Sequence, residues 1–366
     1  MKPFRVLSLD GGGMRGTYTA TYLDQVSKGF ARRQNRGELD IGAAFDLIAG
    51  TSTGGIIACA LAAGVPLARV VELYRKSGSK IFPRRVPDSI PALPADLVMR
   101  PSAIDAGKHA LKQALHEELG DLTIRDIYRD RGIALAITAV EMSQHRSWVF
   151  KTPHVPTSKD RDGGYSLVDV CLATTAAPVF RAMADIDYPD DPKAGFNVFV
   201  DGGLWANNPV LVGMIDALEV AHPEQDIEIF CLGTCPVPAG EQLKRNEMNR
   251  GLGAWKFGSD AATLSIDAQQ FAYDNMARMF ARHLNRKCRV VRFPADKVPA
   301  SLIPHLGLDD TSDDAMHALI AQARADADMT NSRCADPDEE AALICALFAD
   351  APLRTTPLQR RVGAKA

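Results

Sequence analysis

The sequence has no run of about 18 apolar residues, the minimum for a membrane-spanning helix. Its start, Met1-Lys2-Pro3-Phe4-Arg5, enters a strand-like stretch directly and lacks the apolar segment and small-residue cleavage site of a secretory signal. Neither sign of charge is in excess, since 42 Lys+Arg against 45 Asp+Glu leave a formal net charge of -3. Nothing global therefore advertises a nucleic-acid polymer or an anionic bilayer as partner, and any membrane contact must come from a local patch. The 7 cysteines are scattered, and the closest pair, Cys231 and Cys235, has no matching second pair or histidine cluster. They read as reduced intracellular thiols rather than a disulfide frame or a zinc site. No internal repeat and no clear linker are visible. The expectation is a cytoplasmic globular protein that meets lipid only from the bilayer surface.

What is present is organised around Gly50-Thr51-Ser52-Thr53-Gly54-Gly55. Phe45 to Ala49 before it suits a buried strand, and Ile56 to Ala63 behind it suits an apolar helix stopped by Gly64. Strand, sharp turn and helix form the setting of a nucleophile elbow, in which a serine hydroxyl is pushed out of the sheet. Gly50 and Gly54 are then required because a Cβ would collide with a neighbouring strand or helix. Ser52 is the candidate nucleophile. A bare Gly-x-Ser-x-Gly arises by chance in roughly a tenth of chains this long. A glycine-rich helix start with a capping serine is the alternative reading.

Phe4 to Leu9 is a second strand, and it empties into Asp10-Gly11-Gly12-Gly13-Met14-Arg15-Gly16 ahead of a helix from about Thr17 to Phe30. Backbone N–H groups of such a loop can turn toward one anion, with a helix N-terminus behind them. One such anion is a pyrophosphate, because Gly11-x-Gly13-x-x-Gly16 formally satisfies the dinucleotide fingerprint. That reading wants a second strand ending in an acid about 20 positions on, whereas Arg32 to Glu38 is a polar run. The other anion is the oxyanion of an acyl-transfer intermediate, which belongs beside a nucleophilic serine and is the favoured reading.

Further along, Pro83, Pro87, Pro91, Pro94 and Pro101 interrupt a helical region, with apolar and basic residues between them. This stretch fits either a mobile covering segment or an ordinary loop with solvated basic residues. A helix from about Ile104 to Leu119, strands at Ile133 to Val140 and Trp148 to Lys151, and a helix from Ser166 to Ala176 follow. Phe196 to Val200 is a strand ending in Asp201-Gly202-Gly203, and an acid at a strand's C-terminal end lies where open α/β sheets keep their chemistry. Asp201 is the candidate base; a plain turn aspartate is its alternative. A helix from Leu204 to about Val220, a strand at Ile227 to Thr234, a helix from Thr263 to Leu284, a strand at Cys288 to Phe293 and helices at Ser312 to Ala327 and Asp338 to Phe348 complete the chain, with a polar tail expected to be disordered from Leu353. Strands alternating with helices imply a largely parallel sheet covered on both faces.

With both glycine loops and Asp201-Gly202-Gly203 in hand, the chain resembles the patatin-like phospholipases. The blocks that match in order are Asp10 to Gly16, Gly50 to Gly55, Ala173-Thr174-Thr175-Ala176-Ala177-Pro178, and Asp201 to Gly203; Leu232-Gly233-Thr234 and Leu308-Asp309-Asp310-Thr311-Ser312 are weaker echoes. One departure is Cys235, where the family often carries glycine. The resemblance implies a three-layer α/β fold with a largely parallel central sheet flanked by helices, a phospholipase domain over residues 1–327, and a helical C-terminal elaboration with its tail over 328–366. It implies a Ser52–Asp201 dyad, Gly11, Gly12 and Gly13 as oxyanion hole, and Arg15 fixing that loop or a substrate phosphate. No metal or cofactor is required. None of the 8 histidines falls in a glycine-rich turn at a strand end, with His145, His154 and His305 nearest to irregular segments. The implied substrate is a glycerophospholipid acyl ester at a membrane surface. Length and the helical C-terminal half are similar to the phospholipase effectors of bacterial cyclic-nucleotide antiphage (CBASS) signalling. That likeness implies a cyclic dinucleotide (cGAMP-like) activator, a peripheral place at the inner membrane when active, and leaves a homo-oligomer open. Within the family the alternative is an ungated lipase or esterase of lipid turnover; the readings from other classes are a dinucleotide-binding oxidoreductase on the Gly11-x-Gly13-x-x-Gly16 loop and a catalytically silent binding protein.

Overall fold

In β1 (Phe4–Leu9) alternate side chains leave opposite faces, sending Val6 one way and Leu7 and Leu9 the other, and both directions end in buried apolar clusters. This is a computed structural model, and it describes residues 1–87, 93–235, 243–251, 253, 255, 258–294 and 298–355. Parallel strands β2 (Leu47–Thr51) and β7 (Ile227–Leu232) flank β1, with β3 (Ala134–Glu141) outside β2 and β8 (Cys288–Arg292) outside β7. The β3 end of the sheet is antiparallel: β4 (Arg146–Lys151) folds back on β3, β6 (Phe196–Asp201) also runs against β3, and β5 (Ala184–Asp187) pairs with β6 to complete an 8-stranded sheet.

Leu7, Ile48, Ile137 and Phe230 share their core with α1 (Gly16–Arg33), α2 (Thr53–Ala63), α3 (Leu67–Ile81), α4 (Leu93–Leu119), α5 (Ile124–Arg131), α6 (Leu167–Thr174), α10 (Asp313–Arg333) and α11 (Glu339–Asp350). Val6, Leu47, Ala49 and Ile229 face the smaller core under α8 (Val210–Val220) and α9 (Ser259–His283). Helices, sheet and helices make three layers. The C-terminal helices are bound to the first one: Tyr18 and Tyr22 of α1 reach Asp326 at 2.5 Å and Thr330 at 2.7 Å on α10, and Phe30 stacks on Phe348 of α11 at 5.0 Å.

Strand register decides where the site forms. Along β3, Ala136 to Glu141 pair with β4, so β2 and β6 must share the opposite edge. On that edge Thr51 of β2 stands opposite Thr138, and Asp201 of β6 stands opposite Ala139. Since β2 is parallel to β3 and β6 antiparallel, their C-terminal ends meet head to head. Asp201 therefore does not project from a common edge of parallel strands, as the sequence suggested; it reaches Ser52 from the opposite direction.

Several other expectations change. Helix α4 starts at Leu93, not Ile104, because an ion pair between Asp96 and Arg100 holds the turn before Pro101 together. The helix expected from Leu204 is two helices, α7 (Gly203–Ala206) and α8, interrupted at Asn207-Asn208-Pro209, where proline cannot donate and Asn208 Oδ1 instead accepts from Val210 N at 3.0 Å. Helix α5 and strand β5 were not anticipated. Leu353 pairs with Leu39 and Arg354 donates to Gly64 O at 2.8 Å, so the chain is tied down through this point; the tail beyond residue 355 lies outside the described residues. Cys334 and Cys345 form a disulfide, contrary to the reading of all cysteines as free thiols. They sit 11 residues apart on α11 and the end of α10, which fold back on each other and bring the Cα atoms to 6.0 Å, within bridging range.

Candidate active site

The elbow forms because β2 must turn into α2 within one residue. Ser52 takes that turn with φ 53 and ψ -124, a conformation an L-residue adopts at a cost of about 1–3 kcal/mol. The turn is tight enough that a Cβ on Gly54 would lie 2.2 Å from Leu9 O of β1. Ser52 N–H donates to Thr174 Oγ1 at 2.8 Å, so the block from Ala173 to Pro178 holds the elbow from α6. The Ser52 hydroxyl points out of the sheet and donates to Asp201 Oδ2 at 2.7 Å.

Asp201 Oδ1 accepts from Gly203 N at 2.7 Å, so both carboxylate oxygens are engaged. Only 5% of the residue is exposed. Burial pushes its carboxyl up to about 6, against the opposing pull of the Gly203 N–H, the Ser52 hydroxyl and the Arg181 charge. A carboxylate with that affinity for protons can take one from a serine far better than an exposed aspartate can.

The glycine loop faces the same cavity, but not with all three amides. Gly11 N–H donates to Asn207 O at 2.9 Å and is spent on holding the loop, which corrects its place in the expected oxyanion hole. The N–H groups of Gly12 and Gly13 have no acceptor among the described residues, and both residues line the cavity beside Ser52. Gly13 has φ +56, and a Cβ there would meet Leu308 O at 2.2 Å; the same carbonyl accepts from Met14 N at 2.9 Å. Arg15 is buried, donates to Gly12 O at 3.4 Å and does not line the cavity, so of its two expected roles the geometry supports bracing the loop. Behind the loop, Arg292 of β8 pairs with Asp10 at 2.8 Å and with Asp274 of α9. Thr234 Oγ1 donates to Gly11 O at 3.1 Å, giving the Leu232-Gly233-Thr234 echo a bracing role too.

The cavity measures about 430 Å³, and its wall is mostly apolar, with Ile56, Ile81, Phe82, Leu111, Phe180 and Ile266. Val86, Pro87, Leu97 and Arg100 close one side. The basic residues here are not simply solvated: Arg84 and Arg100 both pair with Asp96, Arg85 with Asp310 at 3.3 Å, and Val86 N–H with Asp309 at 2.7 Å. Residues 88–92 of the proline-rich stretch lie outside the description. None of the histidines lines the cavity; His154, the most buried, bonds Thr152 and Asp216. Thr174 and Leu308 showed in the sequence only as parts of motif blocks without a stated contact, and Asn207 escaped sequence reasoning altogether, since each acts through a contact distant in sequence.

A strained serine joined to a buried aspartate, with two free amides and an apolar cavity beside them, can bind an ester and open it by acyl transfer. The comparisons with known proteins agree. Residues 7–214 match the family model described as patatin-like phospholipase. A cGAMP-activated phospholipase of Pseudomonas aeruginosa is 35% identical over 75% of this chain and 74% of its own. Proteins of the same name from Escherichia coli and Vibrio cholerae are 30% and 29% identical, each over 87% of this chain and 87% and 89% of their own. With the family model covering more than half of the sequence and relatives aligned along most of it, the chain belongs to the patatin-like phospholipase family.

Proposed function

We propose that the protein hydrolyses acyl esters of membrane glycerophospholipids through a Ser52–Asp201 dyad and that a cyclic dinucleotide switches it on. Asp201 takes the Ser52 proton as Oγ attacks the ester carbonyl, and the Gly12 and Gly13 amides receive the negative charge of the tetrahedral intermediate. Collapse expels the lysophospholipid alkoxide, which recovers the proton from Asp201. Water, deprotonated by Asp201, then releases the fatty acid from Ser52. The observation that carries this reading is the 2.7 Å bond between Ser52 Oγ and Asp201 Oδ2 at the meeting of two strand ends. Control by a nucleotide is supported by the relatives named cGAMP-activated phospholipase, at 29–35% identity. Work at a membrane surface follows from the substrate class, since no helix among the described residues is long and apolar enough to cross a bilayer.

The test is fatty-acid release from phosphatidylglycerol and phosphatidylethanolamine vesicles, with and without cGAMP. Release in the wild type should fall on the order of 10³-fold or more in Ser52→Ala and in Asp201→Ala, with both variants folded. Release that needs no nucleotide would remove the switch and keep the hydrolase. Undiminished release in Ser52→Ala would overturn the dyad.

A further inference from the structure

Among the described residues that line the cavity, Arg100 and Arg181 carry positive charge. Arg100 is occupied: it bonds Asp96 at 2.5 and 2.9 Å and Val179 O at 3.3 Å. Arg181 is 7% exposed, and no acceptor among the described residues takes a hydrogen bond from its guanidinium. Its guanidinium lies over the Phe82 ring, 5.5 Å from Cζ to centroid. Asp201 attracts it, yet both Asp201 oxygens are already engaged by Ser52 and Gly203. Burial brings the guanidinium down to about 10, so it keeps its charge at neutral pH.

Its guanidinium nitrogens are not among the fully enclosed, unpaired polar atoms of the described residues, so the donors of this largely buried cation open onto the cavity, where a ligand can fill them. The backbone that carries it is costly: Arg181 N–H closes onto Ala177 O at 2.9 Å across a turn in which Val179, a β-branched residue, has φ 74. A strained turn thus holds one charged fork, hydrogen-bonded to no carboxylate among the described residues, in the wall of a mostly apolar cavity, beside the proposed base. The five donors of a guanidinium match the oxygens of a phosphate in a bidentate pair.

We propose that Arg181 binds the phosphodiester of the phospholipid headgroup and makes the site prefer phospholipids to uncharged esters. This rests on ester hydrolysis at Ser52. A substrate whose acyl chain fills the apolar wall places its headgroup phosphate a few bonds from the ester, where Arg181 waits. The cyclic dinucleotide carries the same phosphodiester chemistry, and the experiment separates the two.

The measurement is kcat/KM for phosphatidylglycerol and for diacylglycerol in matched mixed micelles at saturating cGAMP, in wild type, Arg181→Gln and Arg181→Lys. The two substrates differ in the phosphate headgroup. The phosphatidylglycerol-to-diacylglycerol ratio should fall about 10–100-fold in Arg181→Gln, the loss expected for hydrogen bonds to a charged group, and recover in part in Arg181→Lys. The cGAMP concentration for half-activation should not move. A ratio that stays put, whether both rates fall together or neither falls, would overturn the proposal, as would a change confined to nucleotide activation. If the wild type hydrolyses neither lipid, the hydrolase reading fails on its own, and calorimetry with dodecylphosphocholine below its micellar concentration decides the point without turnover. Binding to Ser52→Ala that is lost in the Ser52→Ala, Arg181→Gln double variant supports the role of Arg181, and equal or absent binding in both contradicts it.

Discussion

In the proposed dyad Asp201 holds a proton briefly and releases it, and its surroundings set the pH at which it can. With its carboxyl at about 6, kcat/KM should climb as pH rises through 6 and level off above 7, and a pH–rate profile checks this. The same shift bears on stability. The folded carboxyl sits above its unfolded value of about 3.9, so the ionised group opposes folding above pH 6, and the penalty fades as pH falls through 6 toward 4. Asp201→Asn should therefore be more stable than wild type at pH 7.5, by on the order of 2–3 kcal/mol, with the gap closing toward pH 4. Chemical denaturation at several pH values measures it. Ser52 and Asp201, which the structure brings to within 2.7 Å of each other, could be singled out as candidates in the sequence because each ends a strand inside a glycine signature. The assignment of Gly11 to the oxyanion hole was not correctable from sequence: that its amide belongs to Asn207 O, and that Gly12 and Gly13 remain free, depends on where an interrupted helix lands.

Among the elements, the meeting of β2 and β6 is the feature the sequence could not convey. Alternation of strands and helices pointed to a parallel sheet, and for β1, β2, β3, β7 and β8 it is one. Nothing in Phe196 to Asp201 tells an antiparallel strand from a parallel one, yet only the antiparallel direction brings Asp201 to Ser52 along the edge of β3. Interrupting the helix after Ala206 has a similar logic, since it frees Asn207 O to hold Gly11. The glycine loop is also tied to the far side of the sheet through Arg292, which neutralises Asp10 and Asp274 together. Arg292→Met leaves the buried Asp10 and the half-buried Asp274 without their cation. It should cost about 3–5 kcal/mol by urea denaturation, a loss typical of removing one partner of a buried pair.

At the scale of the whole molecule, the C-terminal part of the chain is joined to the site. Leu308 O sets the glycine loop, Asp309 holds Val86 at the cavity wall, Asp310 holds the adjoining Arg85, and α10 packs on α1 directly behind. The Leu308 to Ser312 stretch showed in the sequence as a faint motif echo, and its purpose appears only once residues 223 or more positions apart are in contact. Releasing this clamp should expose the chain near Arg84 and Arg85. Asp309→Ala combined with Asp310→Ala should raise tryptic cleavage there severalfold without altering the fold seen by circular dichroism, because the ion pair and the Val86 N–H bond are both lost.

The proposed chemistry requires the serine at the head-to-head strand ends to be the nucleophile and Asp201 its base. Peptide mass spectrometry after treatment with a long-chain alkyl fluorophosphonate, with cGAMP present, addresses both at once. One adduct per chain on the peptide that contains Ser52, formed at least about 100-fold more slowly in Asp201→Asn, is the predicted result. An adduct on another residue, or one formed at Ser52 equally fast without the Asp201 carboxylate, would contradict it.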